Sequence, residues 1–273
     1  MAFSSFQQRT FSTLVLAPLL LWAIVVLEGE HFSLLLALLL LFAGWEWGQF
    51  VREKQRRPRM EYALILVMLF YLSRWLPLQF LLYVALGWWG FALYWLHHYP
   101  AGHRWLFSRW FNPVAGVVIL IPAWRALELI HGQPEGIGLL FFLLLLIWGA
   151  DIGAYLVGIR FGSRKLAPKV SPGKSLEGVA GGMVVSMLVA LIAWLWMDSV
   201  TMNIALLLFA VSLIVVFSIV GDLVESAYKR HAGIKDSGNL IPGHGGILDR
   251  VDSLTAAAPL YLALLALFGV VTL

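Results

Sequence analysis

SAYKRHAGIKDSGNLIPGHGGILDRVD, from Ser226 to Asp252, is packed with charge and glycine, while the chain on either side of it is almost wholly apolar. That contrast decides the fold class, because a polar loop set between apolar runs of about 20 residues joins two membrane-crossing helices. Within the loop, Gly233, Gly238, Gly243, Gly245 and Gly246 let backbone come close to a ligand. Lys229, Arg230, Lys235 and Arg250 place cations beside Asp236, Asp249 and Asp252. Such a composition suits phosphates and hard metal ions.

The rest of the chain supports a membrane body. Of its 273 residues 61% are hydrophobic and 12% charged, and the mean hydropathy is +0.85, too apolar for a soluble domain of this size. We read residues 1–273 as one all-α, polytopic integral membrane domain. Its N-terminal helical half is 1–135, and its catalytic half, 136–273, carries polar loops at 158–177 and 223–251. The apolar runs predict nine spans, near 11–27, 31–50, 61–77, 78–97, 112–130, 137–157, 178–197, 202–222 and 252–273. The first has the outline of a signal peptide but no small-x-small cleavage site before Glu28, so it reads as a retained span. No internal repeat supports an inverted-repeat transporter.

Charge gives the orientation. With the N-terminus in the cytoplasm, 17 of the 19 Lys and Arg residues fall on the inner side, and only Arg74 and Arg125 lie outside. The C-terminus is then outside and both glycine-rich loops are cytoplasmic. The net charge of +4 is spread over short loops rather than one soluble face, which argues against nucleic acid and for anionic lipid headgroups and phosphates. Tryptophans at predicted span ends, Trp45, Trp47, Trp88, Trp89, Trp105 and Trp110, read as an interfacial belt.

The absence of cysteine excludes disulfides and thiolate metal sites, and the seven histidines show no metal-ligand spacing. Any metal is therefore held by oxygen. Asp151, in LLIWGADIGAYLVG, lies inside the sixth span, where a carboxylate is costly and marks a functional site unless it merely neutralises a nearby Lys or Arg. The loop after it, RFGSRKLAPKVSPGKSLEG, ends in Pro172-Gly173-Lys174-Ser175. It is not a Walker A loop, because Pro168 stands where that motif needs glycine and the sequence shows no preceding strand. Gly173 nevertheless gives Lys174 access to a phosphate, and Ser175 to Glu177 can cap the seventh helix. Asp222 and Glu225 share one face of the eighth helix, and Asp249 and Asp252 repeat the spacing at the ninth. These last two are either metal ligands or caps for helix amides. His244 either bonds a phosphate or base, or holds a tight turn.

The order Ser226, Lys229-Arg230, Lys235-Asp236, Gly238, Pro242, His244-Gly245-Gly246, Asp249-Arg250 and Asp252 resembles the signature of the CDP-diacylglycerol synthases. KLAPKVSPGKSLEG is similar to that family's second shared stretch, and Trp45–Gln49 (WEWGQ) to a third. The resemblance implies CMP transfer from CTP to phosphatidic acid with release of pyrophosphate, using Mg²⁺ or Mn²⁺, two cations in all. Asp222 and Asp249 would hold metal with Asp151 near them. Lys174, Lys229, Arg230 and Arg250 would grip phosphates, and Ser171, Gly173, Ser175, Lys235, His244, Gly245 and Gly246 would complete the substrate site. It also implies a homodimer in the cytoplasmic (inner) membrane, surrounded by membrane lipids, with its active site facing the cytoplasm. Of the alternatives, a CDP-alcohol phosphatidyltransferase lacks its DGxxAR…GxxxDxxxD pattern here, and a cation transporter leaves two cationic glycine loops unexplained.

The 17-to-2 distribution of cations makes the topology testable. Alkaline phosphatase fused after Leu273 is expected to be active, and fused near Lys54 or Lys235 inactive. An inactive C-terminal fusion at normal expression would make the number of spans even.

Overall fold

The computed structural model describes residues 5–50, 56–99, 104–196, 203–241, 243 and 245–271. Among them are nine α-helices: α1 (Ser5–Val26), α2 (Gly29–Trp47), α3 (Arg56–Leu72), α4 (Leu78–His98), α5 (Phe111–His131), α6 (Gly136–Phe161), α7 (Leu176–Trp196), α8 (Ile204–Ala232) and α9 (Leu248–Leu267). Seven of these, α2 and α4 to α9, are long and apolar enough to cross a membrane, whereas the apolar part of α1 (Ser12–Val26) and the 17-residue α3 are shorter. The protein is an all-α polytopic membrane protein.

Local chemistry sets the helix limits. Pro77 holds Leu76 extended, with ψ 144°, and separates α3 from α4. Asn203 caps α8 through an Oδ1 that accepts from the Ala205 amide at 2.9 Å. Gly233, at φ 73°, ends α8 in a left-handed cap. Ser175 caps α7, its Oγ accepting from the Gly178 amide at 3.1 Å.

One small sheet interrupts the helices. Strands β1 (Lys165–Ala167) and β2 (Ser171–Ser175) form an antiparallel hairpin that leads directly into α7, with Lys165 opposite Ser175 and Ala167 opposite Ser171. The sequence shows no strand here, because these residues lack the alternation that marks one. The hairpin pairs backbone groups that a short loop between two membrane helices would otherwise leave open. It is still not a phosphate loop of the Walker type, since the residues Pro172-Gly173-Lys174-Ser175 lie in a strand and not in a turn.

Helices α6 and α7 pack most closely, through glycines. A Cβ on Gly153 would stand 2.5 Å from the Gly181 carbonyl oxygen, and one on Gly182 would stand 2.6 Å from that of Ala150. Small residues allow this approach between membrane helices, where packing rather than hydrophobicity drives association. Helix α9 is the centre of the bundle, with 61% of its apolar window buried, and it contacts α8, α5, α4 and α2. Helix α7, with 28% buried, faces outward.

The two ends of the bundle differ. At one end the α6–α7 hairpin and the α8–α9 loop come together with the C-terminus of α2 and the N-terminus of α5, tied by Trp47 Nε1 donating to the Asn112 carbonyl at 3.0 Å and by Gln49 Nε2 donating to the Ser237 carbonyl at 2.6 Å. At the other end Arg74 and Arg125, the two cations expected outside, both pair with Glu128, and Arg74 also meets Glu30 at 2.9 Å. Their charges are thus neutralised locally, which explains why they are tolerated there.

Two sequence-based expectations change. Trp47, Trp88 and Trp89 are buried in the core and do not belong to an interfacial belt, whereas Trp105 and Trp110 are exposed. Trp47 is covered by Phe50 and Tyr228, at 5.3 and 5.0 Å, and Trp88 packs against Phe91 and Phe111, at 6.0 and 6.1 Å. In addition, α8 continues ten residues past Asp222, and α9 begins at Leu248, so the loop taken as 223–251 is mostly helical at both ends. Glu225, Ser226, Lys229, Ser237 and Asp249 are buried, whereas Arg230, Lys235, Asp236 and Arg250 stay exposed, a division that polarity alone cannot reveal.

Candidate functional site

The α8 face carrying Asp222, Glu225, Ser226 and Lys229 packs on the start of α9. Lys229 is 7% exposed, and its ammonium lies 2.6 Å from Asp249 Oδ1 and 3.2 Å from Glu225 Oε1. A buried cation between two carboxylates fixes these helices together. Glu225 is also buried, and its contact with the Lys229 ammonium is an ion pair without a hydrogen bond to either oxygen. Asp222 receives the Ser226 hydroxyl at 3.1 Å and, 2.6 Å from its other oxygen, the ammonium of Lys174 on β2.

Lys174 also lines a cavity of about 200 Å³ between α6, α7, α8 and the hairpin. Asp151, Tyr155, Gly173, Ser175 and Gly178 share its walls. Asp151 lies within electrostatic range of Lys174, Asp222 and Arg250, and Asp252 within range of Asp222, Lys174 and Lys229. Five carboxylates, Asp151, Asp222, Glu225, Asp249 and Asp252, thus stand around Lys174, Lys229 and Arg250.

Asp249 is not a cap for α9. Its Oδ2 accepts from the amides of Ser237 and Gly246, both at 2.8 Å, and both lie in the loop before the helix. The orphan amides of α9 go instead to Glu46 of α2: Oε1 accepts from Ile247 at 3.1 Å and Oε2 from Leu248 at 2.8 Å. The glycines fit this packing. A Cβ on Gly245 would lie 2.5 Å from Asp249 Oδ2, and one on Gly246 would collide with the Glu46 carboxylate.

The other expected site residues separate into two groups. Lys229 is enclosed by carboxylates, and Arg230 bonds the Val170 and Ile234 carbonyls at 3.3 and 3.2 Å, so it ties the hairpin to the end of α8. Neither presents itself as a free phosphate grip. Arg250, Lys235 and Gly173 are exposed, and Ser171 is half-buried at the start of β2. His244 lies outside the described residues. Glu46, Gln49 and Ser237 were missed as individual residues. A glutamate inside the apolar run 31–50 was the available signal for the first.

Among the described residues no three His, Asp or Glu side chains gather closely enough to hold a metal by themselves. The donor set is all hard oxygen and carries more negative than positive charge, which fits a hard divalent cation such as Mg²⁺ or Mn²⁺ only if further ligands come from outside the protein.

Fold and site together define a polytopic membrane protein with a lysine–carboxylate cluster at one end of its bundle. The sequence model of the Cytidylyltransferase family matches residues 7–268, and the chain belongs to that family. A phosphatidate cytidylyltransferase of Pseudomonas aeruginosa is 43% identical over 263 residues, covering 95% of this chain and 96% of its own. The Haemophilus influenzae protein of the same name is 37% identical over 284 residues, covering 93% and 96%. That of Bacillus subtilis is 50% identical over 143 residues, about half of each chain.

The two lysines should separate in stability. Lys229→Ala leaves two buried carboxylates without their cation and is expected to destabilise the protein by about 3–5 kcal/mol. Lys174→Ala, at a partly exposed pair, is expected to cost about 0–1 kcal/mol. Thermal unfolding of both variants in detergent checks this, and equal losses would contradict the distinction.

Proposed function

We propose that this protein transfers the cytidylyl group of CTP to phosphatidic acid, giving CDP-diacylglycerol and pyrophosphate. The observation that carries the reading is membership of the Cytidylyltransferase family together with whole-length similarity to proteins named phosphatidate cytidylyltransferase. The cavity beside Lys174 and Asp151 is the place for the reaction. Its depth suits a lipid substrate: Asp151 is ten residues from the end of α6, about 15 Å along the helix.

The chemistry asks little of the protein in the way of bases. A phosphate oxygen of phosphatidic acid attacks the α-phosphorus of CTP, the bond from that phosphorus to the bridging oxygen breaks, and pyrophosphate leaves with the electron pair. The nucleophile is already anionic, so the protein must neutralise charge and align the groups. Lys174, next to the open position Gly173, can move from Asp222 to a substrate phosphate. Arg250, exposed and within electrostatic range of Asp151, would hold a second phosphate. Two divalent cations, Mg²⁺ or Mn²⁺, held by Asp222 and Asp249 with Asp151 beside them, would supply the remaining positive charge. The reading extends to a cytoplasmic membrane location with the site on the cytoplasmic side, and to a homodimer.

Purified protein given radiolabelled CTP, phosphatidic acid and Mg²⁺ is expected to form labelled CDP-diacylglycerol, to stop in excess chelator, and to resume with Mg²⁺ or Mn²⁺. Lys174→Ala is expected to lower kcat/KM for CTP by one to three decades, about 1.5–4 kcal/mol. Full activity in chelator would remove the cations from the proposal, and wild-type kinetics in Lys174→Ala would remove its phosphate role.

A further inference from the structure

Glu46 lies on α2, far in sequence from the polar loops of the second half, yet Ser237, Ile247 and Leu248 all bond to it. Its side chain is 1% exposed and has no Lys or Arg partner among the described residues. It accepts three hydrogen bonds, from the Ile247 amide at 3.1 Å, the Leu248 amide at 2.8 Å and the Ser237 hydroxyl at 3.2 Å. Ser237, fully buried, continues the chain: its amide donates to Asp249 Oδ2 at 2.8 Å and its Oγ accepts from the Asp249 amide at 3.3 Å. Gln49, on the same turn of chain, donates to the Ser237 carbonyl at 2.6 Å. Gly238 and Gly246 both lie against the Glu46 carboxylate, where a Cβ on either would collide with it.

We propose that Glu46 is a positioning residue for the reaction, acting through Ser237 and the start of α9 to hold Asp249 in its orientation; this rests on the cytidylyltransfer reading. The carboxylate is needed as such. Both of its oxygens accept from backbone donors, and an anion at a helix N-terminus is favoured by the helix dipole. A glutamine would turn its NH₂ group toward one of these amides and leave a buried donor unsatisfied. An aspartate would be one methylene short of the helix end.

A simple tether between α2 and α9 would affect stability alone, whereas a positioning residue affects turnover in molecules that remain folded. The test uses the full chain in detergent with CTP, phosphatidic acid and Mg²⁺, and scales turnover to the folded fraction. Glu46→Gln is expected to lower kcat about ten- to a hundredfold, as small misplacements of reacting groups do. KM for CTP should change by less than about threefold, because the loss falls on the transition state. Ser237→Ala should act in the same direction, and the double variant should cost less than the product of the two, since both act through one network. Ser33→Ala is the control, a buried hydroxyl on the same helix that donates to Glu128 at the opposite end, and its kcat should match wild type. Wild-type kcat in folded Glu46→Gln and Ser237→Ala, with only the melting temperature lowered, overturns the proposal. Should Glu46→Gln not fold, Ser237→Ala and Gln49→Ala decide in its place, and wild-type kcat in both overturns it. A wild-type protein that forms no CDP-diacylglycerol overturns the functional reading as well; an active wild type with unreduced kcat in every variant overturns this proposal alone.

Discussion

An ammonium buried between two carboxylates holds the loop-bearing end of this bundle together. Lys229 stands 2.6 Å from Asp249 and 3.2 Å from Glu225, away from water. Taking such charges out of water costs several kcal/mol each, and only close, well-paired geometry offsets it. The pair therefore fixes the register of α8 against α9, because a slip of one residue would turn Asp249 about 100° from its partner. Gly221 admits the close contact, since a Cβ there would stand 2.5 Å from the Asp252 carbonyl oxygen. Once the register is set, Asp222 and Asp252 come within electrostatic range of each other, and Asp222 reaches Lys174 on the hairpin.

The two lysines show how one residue type serves two ends. Lys229 is enclosed by carboxylates and works as structure. Lys174 sits on a hairpin strand beside a cavity that it lines, paired with a single aspartate and next to a glycine with open space around it. A long flexible cation in that place can exchange a carboxylate for a phosphate, which a buried one cannot do without exposing uncompensated charge. Arg230 belongs with the first kind, since it bonds backbone carbonyls on both the hairpin and the following loop.

Much of this was legible in the sequence, for physical reasons. Nine apolar runs were expected, and nine described helices overlap them, but only seven of these are long and apolar enough to cross a membrane, because α3 and the apolar part of α1 fall short of the required length. Asp151, Lys174, Asp222 and Asp249 stood out because charge in an apolar chain is rare, and the fold brings all four to one end of the bundle. What could not be read is which partner each charge takes. Asp249 at a helix start has the pattern of a cap, yet the cap comes from Glu46, 203 residues earlier, a pairing that only the packing of α2 on α9 creates. Trp47 and Trp89 look like interface residues because they lie near span ends, but neighbouring helices cover them. The hairpin was invisible because its strands are short and carry no alternating pattern.

The central claim is that the carboxylates of α8 and α9 serve the reaction and not only the fold, and asparagine substitution at Asp222 and Asp249 tests it most directly. Asparagine keeps the shape and removes the charge. Turnover and thermal unfolding should be measured for each variant and for the pair. The account predicts that Asp222→Asn melts close to wild type and loses about a thousandfold in kcat, and that the double variant costs little more than either alone, because residues serving one site act as a unit. Asp249→Asn should lose activity and some stability together, since Lys229 is left with Glu225 only. Near-wild-type turnover in both single variants would contradict the assignment of the site.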